Sequence, residues 1–216
     1  MSDSLKTKRT TLRRKPDRGA HDFETIASIL DEGLFCHIGF AVDGRPFVVP
    51  TAYGRRDRTL YIHGSSASRM LRTLAREVPV CVTVTLFDGL VLARSAFHHS
   101  VNYRSVMVLG AAKEARRDEK LRGLEAITEH MARGRWADAR KPSPQELKAT
   151  RVLMLPIEEA SAKIRRGPPL ADDEADLSLP IWAGVLPFEV VPGEPAPAGD
   201  VLPGVSVPGY VRNYRR

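Results

Sequence analysis

Cysteine is scarce in this chain: 216 residues hold only Cys36 and Cys81, each inside an apolar, strand-like run. There is no C-x-x-C and no Cys/His cluster, which excludes a zinc framework and a disulfide scaffold. Small buried core residues in a reducing compartment are the better account of both. Aromatic residues make up only 6% of the chain, and no apolar run approaches the roughly 18 residues of a membrane span. The start, Met1-Ser2-Asp3-Ser4-Leu5-Lys6, lacks the apolar core of a secretory signal. The expectation is a cytoplasmic protein without a membrane partner. Nucleophile motifs are missing too. Gly64-Ser65-Ser66-Ala67 lacks the second glycine of a hydrolase elbow, and no Gly-Lys-Ser/Thr follows it to make a P-loop.

An excess of acid is also absent, since the net charge is +7. Residues 1–18 carry seven bases and two acids, and the last five residues add Arg212, Arg215 and Arg216. Residues 19–211 are therefore within one charge of neutral. A domain that tracks nucleic acid shows its basic stripe on a folded face, so this distribution argues against a nucleic-acid partner. It predicts a basic, extended N-terminal arm over residues 1–20.

The middle of the chain, residues 21–167, reads as one antiparallel-rich β domain with a few helices. A helix spans His21 to Gly33, with Asp22 as cap and Phe23, Ile26, Ile29, Leu30 and Leu34 on one stripe. Strands follow at Leu34–Val42 and Pro46–Tyr53, joined by Asp43-Gly44, a two-residue hairpin signal. After a turn at Arg55–Arg58 a third strand covers Leu60–His63. Further strands are expected over Val80–Leu86, Leu90–Ala96 and Tyr103–Ala112, with a turn at Asp88-Gly89. Helices are expected at Asp118–Met131 and Gln145–Lys148, and a long last strand over Arg151–Ile164. Six or seven strands would then close into a small barrel. Residues 168–216 form a C-terminal extension holding six of the sixteen prolines between Pro187 and Pro208. That reads as a tail laid on a surface, anchored by Ile181-Trp182-Ala183-Gly184-Val185-Leu186.

The most informative stretch is Thr59 to Arg72. It reads as strand, hydroxyl-rich turn, then helix, with Ala67, Met70, Leu71 and Leu74 on the core face and Ser65 or Ser66 as cap. Arg69 and Arg72 occupy a helix start that already favours anions, and the first acid, Glu77, comes only at the far end. A bound phosphate or carboxylate accounts for that pattern, and a solvated surface turn is the plain alternative. His63, at the strand end before this turn, is a pocket candidate or a rim residue. His98 and His99 are adjacent and point to opposite faces of an extended segment, so they cannot chelate one metal together. Arg104 is a second cation able to reach an anion, or an ordinary edge-strand arginine.

Four stretches in order resemble the FMN-binding split barrel of the pyridoxamine 5′-phosphate oxidase superfamily, and more closely its 5-nitroimidazole-resistance and flavin-nucleotide-binding branch. They are Asp43-Gly44-Arg45-Pro46 through Val49-Pro50-Thr51-Ala52-Tyr53, then Leu60-Tyr61-Ile62-His63-Gly64, then Ser68-Arg69, then Asn102 to Gly110. The resemblance covers roughly residues 22–165. It implies that Val49, Pro50, Thr51, Ile62, His63 and Gly64 contact the flavin. It implies that Ser65, Ser68 and Arg69 hold the phosphate, and that Arg104 and Ser105 lie near the ring. FMN is the implied cofactor, and a homodimer with its flavin at the interface the implied assembly. The implied activity is a flavin-dependent reductase or oxidase using a small-molecule substrate and a nicotinamide donor. A non-catalytic flavin carrier, or a haem- or deazaflavin-binding barrel with His98 or His99 as axial ligand, are the alternatives. Two departures stand out. Met70 replaces the lysine that follows the Ser-Arg pair in the oxidases, and Val211 to Arg216 does not reproduce their C-terminal substrate motif, so pyridoxamine phosphate oxidation is not implied.

Overall fold

The computed structural model describes residues 4–170 and 174–215. In chain order the strands are β1 (Gly19–Ala20), β2 (Phe35–Val42), β3 (Arg45–Arg56), β4 (Thr59–Ser65), β5 (Pro79–Leu92), β6 (Ser100–Ala111), β7 (Lys113–Glu114), β8 (Thr150–Pro156), β9 (Glu159–Arg165) and β10 (Gly184–Pro187). The helices are α1 (Phe23–Glu32), α2 (Arg69–Leu74), α3 (Asp118–Met131), α4 (Arg135–Asp138), α5 (Pro144–Ala149), α6 (Glu174–Leu177) and α7 (Gly209–Arg212). The fold is mainly antiparallel β with flanking helices, as expected, but with ten strands among the described residues instead of six or seven. The described residues of Met1–Gly33, Cys81–Leu109 and Glu158–Val190 make one unit, and those of Leu34–Val80, Gly110–Ile157 and Val191–Arg216 make another.

In the first unit β9 pairs with β6 from Tyr103↔Arg165 to Leu109↔Glu159, and with β1 at Gly19↔Lys163. Helix α1 starts at Asp22, whose carboxylate accepts from the Thr25 amide at 2.8 Å, and stops at Gly33. It buries Ile26, Ala27, Ile29 and Leu30, the stripe that helical spacing predicts. The basic N-terminal segment is not an extended arm. Leu5 is buried and bonded to the His21 and Ala160 backbones, while Thr7 and Arg9 both donate to Glu159. Leu5 and Thr10 supply the burial that a count of charges cannot show.

The second unit is built on the β2–β3 hairpin. Asp43 (φ 48°) and Gly44 (φ 75°) form its two-residue turn, both left-handed as a tight hairpin between twisted strands requires. The strand β3 runs on through Arg55 and Arg56, and the next turn is confined to Asp57 and Arg58. Helix α3 lies against β3, β4 and β8. There Tyr61, Ala115, Ala126, Ile127 and Val152 form one core cluster, and the Tyr61 hydroxyl donates to Glu119.

Three further expectations are overturned. Asp88-Gly89 is not a turn: β5 runs straight through it, because Gly89 lets β10 lie alongside, Gly89 opposite Pro187. A Cβ there would sit 2.7 Å from the Leu186 carbonyl oxygen, so this glycine marks a close approach of backbones. The long last strand is two strands, broken after Pro156, where the chain leaves one unit for the other. Ile181 and Trp182 are not a buried anchor but lie 46% and 66% exposed, and only Gly184–Pro187 joins the sheet. The tail is held instead through Tyr210, which donates to Asp138 at 2.8 Å, and Tyr214, which donates to the Met131 carbonyl at 2.8 Å. Cys36 is buried in β2, where burial pushes its thiol up to about 12; burial also raises the thiol of half-buried Cys81, and both cysteines are free.

Candidate functional site

Strand β3 changes partners midway. From Arg45 to Ala52 it pairs with β2, and from Tyr53 to Arg56 it pairs with β4. Strand β4 pairs with β8 along its whole length, from Thr59↔Pro156 to Ser65↔Thr150. The β3–β4 ladder therefore ends at Tyr53↔Ile62, and beyond that point the two strands part. Sequence permits the break. Pro46 and Pro50 share strand parity, so their missing N–H groups fall on one edge and cannot feed a ladder there. Beyond that rung Val49, Pro50 and Thr51 lie on β3 and His63, Gly64 and Ser65 on β4, the two sides of the cleft that the parting leaves.

The far end of β4 turns into α2. The Ser65 carbonyl accepts from the Ser68 amide at 2.9 Å, and the Ser66 amide donates to the Ala149 carbonyl at 2.8 Å. The helix cap is Ser68, accepting from the Leu71 amide at 3.4 Å, in place of Ser65 or Ser66. Ser65 Oγ accepts from the Ala67 amide at 3.2 Å, which holds the residues before the helix in a turn. Arg69 is thus the first helical residue. Its guanidinium lies 4.9 Å from the ring centroid of Phe47, which itself stacks on Phe40 across the β2–β3 hairpin. Among the described residues Arg69 has no carboxylate partner, and this cation–π contact carries it toward the β3 side of the cleft. Phe47 was not singled out from sequence, although its register opposite Phe40 could have found it.

His63 pairs with Val152 on β8, and its Nδ1 is buried with no hydrogen-bond partner among the described residues. Burial holds its imidazole below the ordinary histidine value. The neutral ring is therefore the folded form. Stability from that burial is fully present above about pH 6.5, the unfolded value, and is lost as pH falls through the lower folded value. The ligand-free protein is expected to lose thermal stability as pH falls below about 6.5, while the reference carboxylates are still ionised. His63→Gln is expected to flatten that slope, and equal slopes in melting scans of the two proteins would contradict this account of His63.

Ile62 is buried at the last rung of the ladder. Arg104 and Ser105 belong to the other unit. Arg104 is not a free cation: it donates to both Glu32 and Asp88, at 2.7 and 2.8 Å for Nη2, and these carboxylates raise its already high pKa. Its site is already filled by the chain's own acids, which sit far away in sequence and give no local signal. Ser105 Oγ donates to the Lys163 carbonyl at 3.3 Å. His98 lies edge-on to Phe97 in a short 3₁₀ turn, and His99 Nδ1 sits 3.1 Å from the Ser95 carbonyl. No group of three His, Cys, Asp or Glu side chains converges among the described residues, and no helix among them is long and apolar enough to cross a membrane.

This arrangement has counterparts. No curated protein matches the chain. The flavocytochrome Anf3 from Azotobacter vinelandii is 39% identical, covers 99% of both chains and superimposes with a TM-score of 0.90. An FAD- and heme-binding protein from Mycobacterium smegmatis is 36% identical over 90% of this chain and 96% of its own, with a TM-score of 0.87. A putative 5-nitroimidazole antibiotic resistance protein from Bacteroides thetaiotaomicron is 25% identical over 68% of this chain and 86% of its own, with a TM-score of 0.58. The pyridoxamine 5′-phosphate oxidase model matches residues 22–164, a span that runs from the cap of α1 to β9 and contains the whole β3–β4 cleft. With that span and two relatives above a third identical, the chain belongs to the pyridoxamine 5′-phosphate oxidase family.

Proposed function

We propose that this chain binds a flavin nucleotide in the cleft where β3 and β4 part, and works as a flavin-dependent oxidoreductase. The observation that carries the reading is that Arg69, just past the end of β4, reaches Phe47 on β3 beyond the split and has no acid partner among the described residues. The residues fit such a group. Val49, Pro50 and Thr51 flank the ring's place on one side and Ile62, His63 and Gly64 on the other. Ser65, Ser68 and Arg69 hold the phosphate, and His63 Nδ1 is a buried polar atom left without a partner among the described residues. When bound, the flavin supplies hydride and electron transfer. The chain orients it, excludes water with the buried Ile62 and Tyr53, and places the neutral imidazole of His63 at the cleft.

FMN is the form the family resemblance implies, while one relative is described as an FAD- and heme-binding protein. That description, with the flavocytochrome, favours a second reading in which haem accompanies the flavin. The reading includes a cytoplasmic location, a nicotinamide donor, a small-molecule acceptor and a homodimer. The exposed apolar face of the β2–β3 hairpin, with Phe35 57% and Val48 67% exposed, supports that assembly. The test is the visible spectrum of the purified protein, flavin titration, mass analysis of the released cofactor and turnover with a reduced nicotinamide. Flavin bands and turnover are expected. A colourless protein that takes up no flavin overturns the reading, flavin without turnover leaves a carrier, and a haem band establishes the second reading.

A further inference from the structure

Among the described residues, Arg165 is a buried cation with no acid to answer it. It closes β9 and is 5% exposed. Its Nη1 donates to Asn102 Oδ1 and, at 3.4 Å, to the Gly167 carbonyl, and its Nη2 donates to the Pro168 carbonyl at 3.4 Å. Asn102 in turn donates to the Gly167 carbonyl at 3.1 Å. Every one of these acceptors is neutral. Among the described residues no carboxylate pairs with Arg165, and the charged side chain that acts on it is Arg18, of the same sign. Lys163 lies two residues back on the same strand face, opposite Ser105, and adds another positive charge.

A buried charge without a counter-ion costs several kcal/mol, and carbonyls at the limit of hydrogen bonding return only part of it. Arginine cannot escape the cost by shedding its proton. Arg104 of the same unit is less buried yet has two carboxylates, so the fold can supply acids to an arginine. Three of the five N–H groups of Arg165 are used. The two without a partner among the described residues are on Nε and Nη2, the two nitrogens whose side of the fork can grip an oxyanion with parallel hydrogen bonds.

We propose that Arg165 anchors a second ligand site, which takes the phosphate or carboxylate group of a small molecule at the end of β9, with Arg18, Lys163 and Tyr103 around it. Every residue involved belongs to the first unit, whether or not a flavin binds the second. Asp172 and Asp173 follow closely in sequence but lie outside the described residues.

The experiment is thermal unfolding and calorimetric titration of the full-length protein in phosphate-free buffer. The probes are inorganic pyrophosphate and malonate. One of them is expected to raise the melting temperature saturably, less so as salt is added. Arg165→Met is expected to weaken that binding at least tenfold while its ligand-free melting temperature stays equal or rises, since the uncompensated charge is gone. Arg165→Lys keeps the charge without the fork and is expected not to restore binding, while Arg69→Ala, in the other unit, keeps it. Pyrophosphate alone assigns the site to phosphates and malonate alone to carboxylates. The proposal is overturned if neither probe binds wild type, or if binding survives in Arg165→Met. A ligand-free Arg165→Met that melts lower, with no loss of probe binding, makes Arg165 a clamp for the 166–168 loop. If Arg165→Met does not fold, wild type and Arg165→Lys decide, and equal binding by those two overturns the fork. Tighter probe binding in Asp172→Asn/Asp173→Asn would show that the anion is the chain's own.

Discussion

Arg69→Ala is expected to lose flavin at least tenfold more readily than wild type while melting within a few degrees of it. The two magnitudes separate because Arg69 does different work in the two states. A hydrogen bond to a charged group is worth about 1.5–3 kcal/mol, which is roughly a ten- to hundredfold change in dissociation constant. Its contact with Phe47 is an exposed cation–π pair worth about 0.5–1 kcal/mol, and in a chain of this size that shifts melting by about 2–4 °C at most. Met70 makes the expectation sharper, because the lysine that would share the phosphate in the oxidases is missing and Arg69 carries more of the load. Arg72→Ala is the matched control: it has the same charge on the same helix but no contact with Phe47, and a smaller loss is expected. Fluorescence titration with flavin nucleotide reads both variants. A dissociation constant for Arg69→Ala within twofold of wild type would sink the phosphate role and return Ser65–Arg72 to a solvated turn.

Local chemistry made much of the second unit legible. The hairpin turn at Asp43-Gly44 and the bounds of α3 follow from signals a few residues long, as does the cap at Asp22 in the first unit. The misreadings share a cause in long-range pairing. Gly89 looked like a turn because Asp-Gly favours one, but the backbone that needs the glycine is almost a hundred residues away, at Leu186. The break after Pro156 looked continuous because both halves are apolar, and only their different partners, β4 for one and β6 for the other, divide them. The N-terminal segment looked solvated because Leu5 and Thr10 are outnumbered by charges. At the site, the positions of Val49–Thr51 and His63–Arg69 were readable as a strand pair and a turn. The parting of β3 from β4 was not, since a proline pair permits an edge without saying which neighbour is lost. Arg104 shows the limit most plainly, because Glu32 and Asp88 lie 72 and 16 residues away.

Gly54→Ala is expected to be the most damaging small substitution in the second unit. A Cβ on Gly54 would lie 2.4 Å from both the carbonyl carbon and oxygen of Ala126, and 2.5 Å from the Ile127 amide nitrogen. These are backbone atoms of α3, so no rotamer change relieves the clash. Either the helix lifts, opening the cluster around Tyr61, Ile127 and Val152, or β3 bends beside the last rung at Tyr53↔Ile62. Overpacking of this kind costs about 3 kcal/mol or more when the obstacle is rigid, which corresponds to a melting point lower by about 6–12 °C. Gly199→Ala, with nothing within 4 Å of its added carbon, is the control and is expected to be nearly neutral. Because Gly54 directly follows the rung where the strands part, its variant loses flavin as a consequence of losing the fold. Arg69→Ala loses flavin with the fold intact. Melting and titration on the two variants therefore separate the scaffold from the site, and a Gly54→Ala protein that melts within two degrees of wild type would mean that α3 does not press on β3 as closely as these distances require.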